Sequence, residues 1–437
     1  MFHLSKNSFL GIVFIFLFQL VSAQELILID TANHKYRKSL SALYKKRVSV
    51  QENVFNQSIS DRRVRKEVID AYQEIAEEFI DGIESGNFVY EENYNQLFEG
   101  ILNQLASANP QYNTIGDTKI LLSYGAQPNA YAIGNEIVVI YLPLIKQLRN
   151  EYELAFVISH EIAHNLLNHS YNRLVNHFEL KHSKEIKKQT RNINRKRYNK
   201  AEQARGLYRE IVYGTTKSRR EHERQADSLG FVLFNNAFPD KQYEVVRSLE
   251  FLNEIDKETD SLLVQDYKRF FDSENLQFKN EWVQNEEISR YNYDQTQKFW
   301  LIDSLKTHPD SEIRARQVQT HFNIEEKEPI RASETFKMLK EASEYNEIPG
   351  LYALEEYGRS LYRTLLFLKK EPNHPYVKQF VYKNLVKLQD ARNSYTLDRY
   401  LDGLSPRHSD SYNTFLYFIR NLRRSEMNAL IDYSQTL

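Results

Sequence analysis

The chain has 437 residues, 41% hydrophobic and 27% charged, with a net charge of −1. That length suits a large catalytic domain plus a smaller one, and the balanced charge excludes a chain-wide attraction to nucleic acid or membrane. Cysteine is absent, which excludes disulfides, thiolate ligands, a cysteine nucleophile and lipid attachment on cysteine, and leaves His, Asp and Glu as the metal-binding repertoire.

The first residues, MFHLSKNSFLGIVFIFLFQLVSAQ, place Lys6 in a short polar start, an apolar stretch from Phe9 to Phe18, and small residues at Val21-Ser22-Ala23. This is the layout of a secretory signal peptide cleaved after Ala23. The alternative is an uncleaved segment that tethers the protein to a membrane. No later segment approaches a span: IVVIYLPLI, from Ile137 to Ile145, falls far short of the roughly 20 apolar residues required. The expectation is an exported protein, periplasmic or secreted.

VRKEVIDAYQEIAEEFIDGI and ENYNQLFEGILNQLA carry apolar residues at helical spacing. KILLSYGAQPNAYAIGNEIVVIY then alternates short β-branched or aromatic runs with turn residues, and Gly134-Asn135 suits the tight turn of a hairpin. Next comes AFVISHEIAHNLLNHS, with Leu154, Val157 and Ile158 spaced as a buried helical face.

His160 and His164 are four residues apart, so on a helix they share a face and can reach a single ion. Zinc suits two neutral imidazoles and a carboxylate, with a fourth position left for water. Glu161 then stands beside the metal, where a general base belongs. HEIAH is thus an HExxH motif in need of a third ligand. The HExxHxxGxxH continuation is excluded, because Leu167 stands where Gly is required and Ser170 where the third His should be. The stretch SRREHERQADSLGF offers Glu221 and Glu223. Glu223 has Asp227 one turn on, placed to accept a hydrogen bond from a ligand imidazole, whereas Glu221 has only Gln225 there. Glu223 is therefore the expected ligand.

HEIAH, the E-x-x-A-D of Glu223 to Asp227, the upstream PNAYAIGN and the later THPDSEIRAR resemble the HtpX and CAAX-prenyl-protease family of zinc peptidases, metallopeptidase family 48. The similarity runs from near Arg62 to near Gln319. It implies a gluzincin fold in an α+β, mainly helical chain, with a small antiparallel sheet or hairpin packed on the active-site helix. It also implies one zinc per chain on His160, His164 and Glu223, with Glu161 activating water. His308, in a His-Pro pattern with Arg314 six residues later, is implied to donate to the oxyanion, with Arg314 supporting the site. His374-Pro375 has Phe380 at that offset and is rejected. His169 matches a recurring family histidine of structural role. The lack of later spans resembles the exported branch, whose members act in protein quality control around the bacterial outer membrane.

Between the zinc motifs, KHSKEIKKQTRNINRKRYNK is unusually basic. It reads as a solvated helix face, with peripheral membrane contact as the alternative and no nucleic-acid partner expected. Asn129, Ala130, Tyr131 and Ala132 read as an edge strand onto which an extended peptide adds, against a covered structural strand. Beyond Lys327, Leu354, Leu361, Leu365 and Leu368 stripe one helix, EPNHP breaks it, and Val377, Val381, Leu385 and Leu388 stripe the next. A stripe of Phe415, Phe418, Ile419 and Leu422 follows. The pattern reads as a degenerate, tetratricopeptide-like module for envelope protein partners, or as a helical cap.

The expected organisation is a signal peptide over 1–23, a helical lead-in over 24–61, a zinc peptidase domain over 62–326 and a C-terminal helical module over 327–437. The expected activity is that of a zinc metalloendopeptidase on extended segments of unfolded or misassembled exported proteins. The alternative is a chaperone-like assembly factor with latched or rare proteolysis.

Overall fold

A computed structural model describes residues 26–29, 33–125, 127–195, 200–252, 260–272, 276–284, 311–406 and 408–435. The expected signal peptide lies outside them. Helix α1 (His34–Ser58) and helix α2 (Arg62–Ser85) form an antiparallel pair. Asp61 starts α2 by accepting hydrogen bonds from the Arg63 and Val64 N–H groups, and Gly86, at φ 87°, ends it in the left-handed conformation. Val64, Val68, Tyr72, Ala76, Phe79 and Ile83 recur at helical spacing and are all buried.

Those side chains cover one face of a four-stranded sheet of β1 (Phe88–Val89), β2 (Lys119–Ser123), β3 (Ala130–Gly134) and β4 (Ile137–Tyr141), ordered β1-β2-β4-β3. Leu121, Ile137 and Val139 face this outer layer, while Ile120, Leu122, Val138 and Ile140 face the main core with α3 (Glu92–Ala108). Apolar residues on both faces explain the unbroken IVVI run, because β4 is an inner strand.

The sheet is mixed where an antiparallel one was expected: β1 with β2 and β3 with β4 are antiparallel, but β2 and β4 are parallel. The chain crosses from β2 to the edge, forms β3, and turns back to insert β4 between them, so β4 runs in the direction of β2. The turn pair is also shifted by one residue from Gly134-Asn135. Asn135 (φ 52°) and Glu136 (φ 51°) take the left-handed conformation required at both centres of the tight turn. Ile133 is the extra residue of a bulge just before it, and a Cβ on the adjoining Gly134 would lie 2.5 Å from the Tyr171 hydroxyl. Arg47 braces the tip by donating to the carbonyls of Asn135 and Asp117, each at 2.7 Å.

Beyond the sheet, α4 (Leu142–Gln147) leads into α5 (Glu151–Leu166), α6 (His169–His182), α7 (Lys184–Arg195) and the long α8 (Lys200–Ala237). Then come α9 (Gln242–Phe251), α10 (Val264–Phe271) and α11 (Ser311–Phe322). The C-terminal helices are α12 (Glu334–Ala353), α13 (Tyr357–Lys370), α14 (Pro375–Asn393), α15 (Leu397–Tyr400), α16 (Asp410–Asn421) and α17 (Arg424–Ser434).

Leu361, Leu365 and Leu368 are buried on α13, and Val377, Val381, Leu385 and Leu388 on α14. Leu354 departs from the expected stripe: it caps α12, and Glu355 at φ 62° turns the chain before α13 begins. Helix α12 packs on α4, Tyr94 donates to the Leu339 carbonyl at 2.9 Å, and one apolar core runs from the sheet into α16 and α17. No helix among the described residues is long and apolar enough to cross a membrane.

Candidate metal centre

Helix α5 is started by Asn150, whose side chain accepts from the Tyr152 and Glu153 N–H groups, each at 3.0 Å. Leu154, Ala155, Ile158 and Ile162 lock it into the core. His160, Glu161 and His164 are buried with them, at 5%, 4% and 8% exposure. Helix α8 crosses α5 at Gly230, where a Cβ would lie 3.0 Å from the His160 Cα and 3.1 Å from its nitrogen, so glycine permits the close approach. Glu223 lies two turns earlier on the same face of α8 and is carried against both imidazoles.

The His160 and His164 Nε2 atoms are 3.0 Å apart, and each is 3.6 Å from an oxygen of Glu223. Bonds of about 2.0–2.1 Å in a tetrahedral site put ligand atoms roughly 3.3 Å apart, which these separations bracket. Glu161, Glu223 and Asp227 bring three buried carboxyl groups beside the buried Arg314 guanidinium and the two imidazoles. Carboxyl groups in excess of guanidinium are what a divalent cation would balance. Donor type, spacing and charge all fit zinc.

On the His160 side, Nδ1 stands 3.1 Å from Asp227 Oδ1. Arg314, from α11, donates twice to Asp227 at 2.7 Å and brings its third nitrogen to 3.2 Å from Glu223. Burial alone would push the Asp227 pKa up, but the Arg314 charge prevails and holds it at about 2. Burial likewise opposes the His160 imidazolium, yet hydrogen bonds to Asp227 and Glu223 outweigh it and raise its pKa to about 10. The pocket therefore attracts positive charge.

The His164 side is built from neutral groups that sequence reasoning does not join. His164 Nδ1 meets His169 Nδ1 at 2.9 Å, and His169 Nε2 meets Gln225 at 3.1 Å. With Nε2 of His164 turned to the ligand cluster, the consistent assignment has its Nδ1–H donating to His169, and His169 Nε2–H donating to Gln225. Burial lowers the His169 pKa to about 4, so the ring is neutral, as its accepting role requires. His222 stacks on His169 with ring centres 4.2 Å apart. The five-residue spacing from His164 to His169 is the one sequence signal for this contact. Glu221, by contrast, is exposed and paired with Arg224 at 2.6 Å.

The structure thus brings together His160, Glu161, His164, Glu223, Asp227 and Arg314. His308 lies outside the described residues. Asn129 to Ala132 lie at the sheet's β3 edge. The Tyr141 N–H donates to the Asn129 carbonyl at 3.0 Å, so by alternation the backbone groups of Ala130 and Ala132 point away from β4. The Ala132 carbonyl accepts from the Ser170 hydroxyl at 3.2 Å.

Two imidazoles one helical turn apart, a carboxylate from a second helix and a glutamate adjoining the first imidazole define a metallopeptidase centre of the HExxH type. The model for Peptidase family M48 matches residues 95–321, over half of the 437-residue chain. The chain belongs to peptidase family M48, a family of zinc-dependent metallopeptidases. The match begins in α3 and ends in α11, so it takes in both histidines, Glu223 and Arg314. No curated relative matches the chain.

Proposed function

We propose that this protein is a zinc endopeptidase, with one zinc per chain, that hydrolyses extended segments of unfolded or misassembled exported proteins. The observation that carries the reading is the convergence of His160, His164 and Glu223 lone pairs within 4.8 Å of one another, beside the buried Glu161. Zinc, when bound there, supplies a Lewis acid that polarises a peptide carbonyl and makes a water more acidic. Glu161 takes the proton of the attacking water and passes it to the leaving nitrogen. Asp227 and the His169–Gln225 pair fix the tautomers of the two ligand imidazoles, and Arg314 holds Asp227 in its anionic form and reaches Glu223. His308, through the family resemblance, donates to the oxyanion.

Substrate would pair with β3. The Ala130 N–H and C=O groups and the Ala132 N–H group point away from β4 and pair with no other strand among the described residues, which suits an extended backbone and asks little of side chains. Recognition by backbone suits unfolded chains. The signal-peptide layout of residues 1–23 supports an exported, periplasmic setting. The packed C-terminal helices support a second reading, in which they bind envelope protein clients and proteolysis is rare.

The test is Glu161→Gln in the zinc-loaded protein. The variant keeps its zinc and loses casein hydrolysis by at least about a thousandfold. Full activity in the zinc-loaded variant would refute the role of Glu161, and zinc without cleavage in the wild type would favour the client-binding reading.

A further inference from the structure

We propose that Arg173 and Arg219 form a carboxylate-binding rim beside the metal centre, which selects polypeptides carrying an acidic side chain or a free C-terminal carboxylate near the scissile bond. The proposal rests on the zinc peptidase reading above and adds a substrate class to it.

The geometry comes from two helices. Arg173 follows His169 by four residues on α6, so the two share a face, and His169 contacts His164 at 2.9 Å. Arg219 precedes Glu223 by four residues on α8, so these also share a face, and Glu223 is the carboxylate against both imidazoles. The stacking of His222 on His169 joins α6 to α8 at this level. Each arginine thus stands one turn outside a residue of the site, and both residues are exposed.

Among the described residues neither Arg173 nor Arg219 makes a hydrogen bond or an ion pair. Their electrostatic coupling to the site and to each other agrees with this placement. Partial burial and then the Arg219 charge press the Arg173 pKa down, while Glu223 and Glu161 press it up. Arg173 also lowers the His222 pKa, after burial of that ring. Two like charges, neither hydrogen-bonded to a carboxylate among the described residues, form a fork suited to a carboxylate.

The surrounding chain reinforces the preference. Residues 173–220 contain fifteen Lys and Arg against four Glu and no Asp, in a protein whose net charge is −1. Lys184, Lys187, Lys188 and Arg191 of α7 are exposed. Such a charge balance favours anionic segments over cationic ones.

The test uses full-length, zinc-loaded protein and paired peptides with Glu or Gln at successive positions, each with a free or an amidated C-terminus. The expected result is about tenfold higher kcat/KM for the Glu peptide, or for the free-acid peptide, at the position nearest the rim, with the advantage shrinking as salt is added. The two peptide series separate a side-chain source from a terminal one. Arg173→Gln with Arg219→Gln brings the ratio close to one, and Arg173→Glu with Arg219→Glu shifts the preference to Lys, which loss of folding would not do. Peptide affinity for the Glu161→Gln protein follows the same ranking without turnover. If wild type cleaves nothing while that ranking holds, the peptidase reading fails and the rim stands. Cleavage indifferent to charge overturns the rim alone. Equal affinity for Glu and Gln peptides, with salt-sensitive binding to phosphatidylglycerol vesicles, overturns it in favour of a membrane.

Discussion

Glu347 and Glu223 are both buried carboxylates in contact with basic side chains, yet their surroundings differ in a way that separates a brace from a site. Glu347, on α12, bonds Lys146 of α4 and lies 3.3 Å from Arg363 of α13, so two cations attend one anion. Both cations keep partial access to water, at 19% and 32% exposure. Glu223 shares its pocket with Asp227 and Glu161, against the single buried guanidinium of Arg314, and its oxygens converge with two imidazole nitrogens on one point. Buried ion pairs alone do not mark function. A surplus of charge and lone pairs aimed at a common centre do.

The largest effect expected from this contrast is that of Arg314→Gln. Removing this buried guanidinium strips Asp227 and Glu223 of a charged partner and should cost about 3–5 kcal/mol, read by denaturant unfolding in the presence of chelator. Zinc offsets the same charge, so the loss should be smaller in the metal-loaded protein. An equal loss in both forms would break the comparison.

Glu347→Gln should cost less, about 2 kcal/mol, because Lys146 and Arg363 can turn to water. Its zinc content should match wild type. Burial raises the Glu347 pKa, but Lys146 and then Arg363 more than reverse this, so the carboxyl sits below its ordinary value of 4.5. A depressed folded-state pKa contributes stability that is present above that ordinary value and is lost as pH falls through the lower one. Acid titration of stability should therefore show a limb below about pH 4.5 that is weaker in Glu347→Gln. An unchanged limb would show that the acid sensitivity lies elsewhere.

Much of the ligand geometry is legible in the sequence because it is local. His160 and His164 are one helical turn apart, and so are Glu223 and Asp227, which is why residue spacing alone favours Glu223 over Glu221. The helices are legible for the same reason: the stripe from Val64 to Ile83 on α2 is a periodicity within one segment. What escapes depends on chain crossings. The parallel pairing of β2 with β4 follows from where β3 is inserted, and Leu354 caps the helix before the one its spacing suggests, because a left-handed Glu355 leaves little mark in composition. The His164–His169–Gln225 chain joins three helices, and the double contact of Arg314 with Asp227 and Glu223 requires α11 to close on α8. Sequence spacing marks several of these residues as candidates without saying which ligand each one steadies.

If His160, His164 and Glu223 hold one zinc as a set, X-ray absorption at the zinc edge, on protein loaded with one equivalent, will show it. The expected result is a four-coordinate shell of nitrogen and oxygen at about 2.0–2.1 Å, with the outer-shell signature of two imidazoles, and loss of one light ligand in Glu223→Ala. A shell containing fewer than two imidazoles, or one unaltered by Glu223→Ala, would contradict it.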